Sequence, residues 1–217
     1  MKLRVSNRKT AALTLVEVLV VIVVLFVLAV LILPFFARAR TSSGPNCVSN
    51  LKQIGISFQI WASDNNGKYP FKTSVTNGGT MELNNGRNAW LNYLVMSNEL
   101  STPKVLICPK DKKHLPPASD FSSQLAGHIS YFVGLDANMN SPQTFLSGDD
   151  TFAIDSVLVK SGLLLLSTNT SVAWTADRHG FAGYILFGDG SVQMFNNSSF
   201  TNWLHQTSVA TNRLAIP

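Results

Sequence analysis

Charged side chains are scarce in this 217-residue chain, at 13% of the total, and no acid precedes Glu17. Cysteine is scarcer still: two residues exclude a small fold stapled by many disulfides. A basic stripe with interleaved aromatics is missing. Of the 17 Lys and Arg residues, Lys2, Arg4, Arg8 and Lys9 crowd the start, leaving 13 basic against 12 acidic residues afterwards. The pI of about 9.4 therefore reflects the N-terminus, and nucleic acid is not an expected partner. Enzyme signatures are missing too: there is no Gly-x-Ser-x-Gly elbow, His-Glu-x-x-His, Walker loop or dinucleotide fingerprint. His179 with Asp177 or Asp189 and Ser191 could be drawn as a triad, but Asp189 reads as a turn residue. His179 reads as a hydrogen-bonding partner of a strand, so the expectation is no enzyme and no catalytic residue. What the chain does have is 13 Phe, 4 Trp and 4 Tyr, enough apolar bulk to exclude disorder and to build one domain.

Residues 18–36 hold no charge and are nearly all Val, Leu, Ile, Phe or Ala. As a helix they span roughly 28 Å, the thickness of a bilayer core. Four positive residues precede the run (Lys2, Arg4, Arg8 and Lys9) and two follow it (Arg38 and Arg40), which predicts a cytoplasmic N-terminus and a single-pass anchor in the inner membrane. The C-terminal domain is then periplasmic or extracellular. An ordinary cleaved signal fits less well, because the run is long, contains Pro34 and lacks a compact Ala-x-Ala site beyond it. Glu17 stands at the head of the run, where a carboxylate needs a partner or a helix N-terminus.

The basic leader, the stretch Ala12-Leu13-Thr14-Leu15-Val16-Glu17 and the apolar helix resemble the leader of type IV prepilins and type II secretion pseudopilins. That resemblance implies cleavage between Ala12 and Leu13 by a prepilin peptidase and N-methylation of Leu13. It also implies pairing of Glu17 with a neighbouring subunit's N-terminus, which sets register, and a helix kink at Pro34. Ala12 replaces the family's usual Gly. Two later stretches resemble one pseudopilin-like branch. Cys47 through Gly55 with Asp64-Asn65-Asn66-Gly67-Lys68-Tyr69-Pro70 matches the region after its first helix. His179, nine residues, then Asp189-Gly190 matches its His-x9-Asp-Gly signature, and Cys108-Pro109-Lys110-Asp111 its Cys-Pro-x-Asp stretch.

The spacing of Cys47, Leu51, Ile54, Phe58 and Trp61 predicts an amphipathic helix, stopped by Asp64-Asn65-Asn66-Gly67. Short apolar runs predict a helix at 89–95 and strands at 105–108, 129–133, 163–167, 172–175, 184–187 and 192–195. Gly188-Asp189-Gly190-Ser191 reads as a hairpin turn, and 200–205 as a terminal helical turn. The expected fold is α+β: a long N-terminal helix, half transmembrane and half amphipathic, packed on a C-terminal antiparallel sheet. The expected parts are a leader (1–12), an assembly helix (13–36), its amphipathic continuation (37–63) and a β-rich domain (64–217).

Cys47 and Cys108 permit one disulfide, and two separate buried thiols fit the sequence as well. Cys47, Cys108, His114 and His128 do not form two close ligand pairs, so a zinc site is not assigned. Asp149, Asp150 and Asp155 offer oxygens of the kind calcium takes, without EF-hand spacing, and no ligand set or cofactor is assigned. The expected function is a structural subunit of a type IV pilus or pseudopilus-like filament. Its partners are other copies of itself or related pilins, the processing peptidase and methylase, an inner-membrane assembly platform, and the bilayer before assembly. The alternative is a tethered domain that binds a ligand or polysaccharide and does not polymerise.

Overall fold

The computed structural model describes residues 15–37, 43–84, 88–122, 125–207 and 209–217. The chain divides into two compact units, Met1–Ser42 and Ser43–Pro217. The first holds helix α1 (Leu15–Ala37), with Glu17 in its first turn, where a carboxylate complements the helix dipole. Pro34 falls within α1. The processing positions Ala12 and Leu13 lie outside the described residues.

Two expectations are corrected here. The described helical stretches are α1 and α2 (Ser43–Asp64), which belong to different units, and α2 packs on the sheet. Among the described residues no helix is long and apolar enough to cross a membrane. The transmembrane half-helix and the single-pass inner-membrane placement fall with that finding.

In the second unit, α2 follows its expected pattern. Cys47, Leu51, Ile54 and Phe58 are completely buried and Trp61 nearly so, because steps of three and four keep them on one helical face. The helix stops where Asn66 and Gly67 turn left-handed (φ 56° and 73°) and Gly67 N–H donates to the Ala62 carbonyl at 2.8 Å. Short 3-10 turns follow, then α3 (Ala89–Leu94) and α4 (Ser97–Leu100). The strand expected at 105–108 does not form: residues Pro103–Leu106 make a 3-10 turn instead. Pro103 fixes φ at its start, and the Thr102 side chain caps Lys104 N–H.

The strands are β1 (Tyr131–Gly134), β2 (Phe145–Asp149), β3 (Phe152–Ile154), β4 (Val157–Leu158), β5 (Gly162–Ser167), β6 (Val172–Trp174), β7 (Ala182–Phe187) and β8 (Val192–Asn196). Helix α5 (Asn197–Gln206) and strand β9 (Thr211–Ile216) complete the chain. Six strands form one antiparallel sheet in the order β5-β9-β1-β2-β7-β8, and three form a smaller one, β4-β3-β6. Alternation along the strands divides the core. Tyr131, Val133, Leu146 and Leu186 face the α2 side. Phe132, Phe145, Ile185 and Phe187 join Phe152, Trp174, Phe195, Phe200 and Leu204 in a second core with the small sheet and α5. Trp174 and Phe200 stack there with ring centroids 5.0 Å apart.

Candidate functional site

Four segments far apart in sequence meet at one end of α2. The first is the Cys108-Pro109-Lys110-Asp111 stretch. Asp111 caps its own turn, accepting from the backbone N–H of Lys113 (2.8 Å) and of His114 (3.2 Å). The second is Ser130, just before β1. The third is the end of β2, where Asp149 is followed by Asp150. The fourth is the β6–β7 connection, which carries Arg178 and His179 and then turns through two left-handed residues, Gly180 and Phe181 (φ 62° and 61°).

Arg178 is the hub. Its guanidinium donates to the Ser130 carbonyl (2.8 Å), Asp149 Oδ1 (3.0 Å), Asp150 Oδ1 (2.8 Å) and Asp111 Oδ2. Asp111 Oδ2 also takes the Ser130 hydroxyl and lies 2.8 Å from His114 Nδ1. Lys113 Nζ reaches Asp150 Oδ2 at 2.8 Å, and His114 Nε2 lies 3.3 Å from the same oxygen. Asp149 Oδ2 accepts Tyr184 N–H at 2.8 Å and sits 3.5 Å from His179 Nε2. The three carboxylates and Arg178 are almost completely shielded from water.

Burial of that much charge is costly unless every ion is paired, and here each is. Burial pushes the Asp149 carboxyl up to about 6, against the pull of Arg178. Burial also works against ionised Asp111, but the bond from His114 and the charge of Arg178 outweigh it and hold that carboxyl well below its usual range. The guanidinium of Arg178 loses by burial and gains more from Asp150, Asp149 and Asp111, so its pKa rises. His179 is pushed down to about 4 by burial, then by Arg178 and Lys110, so its imidazole is neutral near pH 7.

The sulfurs of Cys47 and Cys108 are bonded, tying the start of α2 to this loop across 61 residues of sequence. His179 Nε2 lies 3.4 Å from Cys108 Sγ. The other half of the His-x9-Asp-Gly signature sits at the far end of β7. There Asp189 Oδ1 accepts Ser191 N–H (2.8 Å), and Gly190 turns left-handed at φ 83°. A Cβ on Gly190 would approach Gln59 Nε2 of α2 to 2.9 Å. The nine-residue spacing now has a physical reason. From Cys47 to Gln59 a helix rises about 18 Å, and the six residues of β7 extend about 20 Å. Strand and helix lie against each other, with Leu186 touching the position of Gly55. β7 therefore runs from the disulfide at the start of α2 to the neighbourhood of Gln59, with His179 beside the first and Gly190 close to the second.

Ser130 Oγ donates to a carboxylate rather than to an imidazole, and the triad drawn from His179, Asp177 or Asp189 and Ser191 is not assembled. Asp189 and Ser191 belong to the hairpin, while Asp177 bonds Thr175. Asp111, His114 and Asp150 place ligand atoms within 4.8 Å of one another. Their shared oxygens, however, already carry Arg178, Lys113 and Ser130 donors, so a hard cation such as calcium does not fit without displacing them. Asp155 occupies the β3–β4 turn, apart from those atoms. A cleft of about 620 Å³ opens beside the network, lined by Lys113, Asp150, Phe152, Leu158 and Thr175 among others.

Sequence reasoning missed Arg178 and its partnership with Asp149 and Asp150. The available signal was local: an arginine immediately before the signature histidine, and two adjacent aspartates closing an apolar run. Comparisons with family models, with curated proteins and with solved structures find no match to this chain.

Proposed function

We propose that the chain is the structural subunit of a pilin-like filament, of the type IV pilus or type II secretion pseudopilus kind. It is cut between Ala12 and Leu13 and assembled through α1. The observation that carries this reading is the surface of α1. Every large apolar side chain from Leu15 to Leu28 is exposed, between 46% and 81%. A helix that is apolar all round needs burial all round, and copies of the same helix supply it in a filament core. The unit from Ser43 onward builds its cores from its own residues, 47–216, and so is equipped to decorate the outside of such a filament. In that packing Glu17 pairs with the methylated amine of Leu13 on a neighbouring copy, since a buried carboxylate and a buried ammonium are tolerable only together.

Intact mass and N-terminal sequencing of the chain pelleted with sheared filaments test the proposal. The expected chain begins at N-methylated Leu13. A pelleted chain that still begins at Met1, or a chain absent from the pellet, overturns it.

A further inference from the structure

The disulfide has a third soft-ligand neighbour. His179 Nε2 stands 3.4 Å from Cys108 Sγ, and the two sulfur atoms and this nitrogen all lie within 4.8 Å of one another. On its other side the same nitrogen is 3.5 Å from Asp149 Oδ2. With Zn–S near 2.3 Å and Zn–N near 2.0–2.1 Å, the donor–donor edges of a tetrahedral site are roughly 3.4–3.8 Å. The edge between His179 Nε2 and Cys108 Sγ is thus already present. The edge between the sulfurs requires the disulfide to open, and Cys47 Sγ then settles within reach of the same nitrogen.

We propose that the reduced form of this chain holds one zinc ion through Cys47, Cys108 and His179, with a water molecule in the fourth position. Opening the bond takes two electrons and two protons from a dithiol reductant, which itself becomes a disulfide, and leaves two protein thiols. Zinc binding then releases both thiol protons. Two thiolates and an imidazole select a borderline-soft ion such as Zn²⁺ over calcium or magnesium. The surroundings meet the other requirements of a metal site. Asp149, held by Arg178 and Tyr184 N–H through its two oxygens, places a carboxylate 3.5 Å from His179 Nε2 beside the site. A cleft of about 560 Å³ lined by Asn46, Ser49, Asn50, Cys108 and His114 gives a path in. The two cysteines are the only ones in the chain, so the oxidised protein offers no thiol elsewhere. Sequence spacing hides the site, because its ligands come from α2, the Cys-Pro loop and the β6–β7 connection.

The test is a Zn²⁺ titration of the full chain, oxidised and after dithiol reduction and anaerobic desalting, with Co²⁺ as a spectroscopic substitute. One zinc per reduced chain is expected, with thiolate-to-cobalt charge transfer and tetrahedral visible bands. The oxidised chain should bind at least a hundredfold more weakly. His179→Ala should weaken binding at least tenfold and change the cobalt spectrum. Equal binding by the two redox forms, or by parent and His179→Ala, overturns the proposal. Thermal unfolding of the reduced parent with and without Zn²⁺ covers loss of structure on reduction. A raised midpoint, or recovery of structure on adding zinc, is expected; no change overturns the site.

Discussion

Arg178 is enclosed by Asp111, Asp149 and Asp150, and its planar fork meets them with two nitrogens. A lysine has a point charge and cannot reproduce that geometry. Arg178→Met leaves three carboxylates facing one another, with Lys113, His114 and His179 as the remaining nitrogen neighbours. It should lower unfolding free energy by about 3–5 kcal/mol, and Arg178→Lys should recover only part of this; urea titration reads both. The network also sets a pH signature. His179 has a native pKa of about 4, below its ordinary 6.5, so it removes stability as pH falls from 6.5 to 4. Asp149 has a native pKa of about 6, above its ordinary 3.8, so it adds stability as pH falls from 6 to 3.8. The two trends oppose each other, with Arg178, Asp150 and Lys110 as their charged neighbours. Asp149→Asn should expose the His179 trend, a urea midpoint that drops on acidification from pH 6.5 to 4. His179→Gln should expose the reverse, a midpoint that rises between pH 6 and 4. Parallel pH curves for the two variants would contradict this assignment.

Helix α2 is bonded at its start through the disulfide, beside His179 and the Arg178 network, and farther along it packs against β7 and β8, with Gln59 close to Gly190 of their hairpin. A cross-link closing a loop of this length, 61 residues apart in sequence, stabilises by about 4 kcal/mol in the chain-entropy account. Cys47→Ala with Cys108→Ala should cost about 2–4 kcal/mol. Hydrogen exchange should rise first in the N-terminal turns of α2 and in the loop at 107–114, and little at Gln59. Uniform exchange across α2 would argue against a tie local to its start. How well each element could be foreseen follows from its patterning. The stripe Cys47-Leu51-Ile54-Phe58-Trp61 has one dry face, so its period is clean, and the Gly188–Ser191 turn carries its own chemistry. β2 reads Phe-Leu-Ser-Gly-Asp and is buried on both faces, so it shows neither alternation nor a purely apolar run. β9 mixes exposed Arg213 with buried Asn212 and went unseen. The ion network was illegible for a different reason. Its members are 28 to 67 residues from Arg178, and only the folded sheet brings them together.

At the scale of the whole molecule, two units have opposite surface chemistry. The unit from Ser43 onward closes two aromatic-rich cores and a disulfide. The unit within residues 1–42 presents α1, whose described side chains are apolar on every face apart from Glu17. Exposed apolar area is worth roughly 25 cal/mol per Å² when buried, so burying many α1 side chains at once is a large driving force for self-association. The central claim is that copies of α1 bury one another. A photo-crosslinking residue placed at Phe26 in the full-length chain, activated in cells and followed by mass spectrometry of the products, tests it most directly. The account predicts a ladder of multiples of the chain, with crosslinks mapping to residues of α1 in a second copy and weakened by Glu17→Leu. Crosslinks confined to lipid or to unrelated proteins, with no second copy captured, would contradict it.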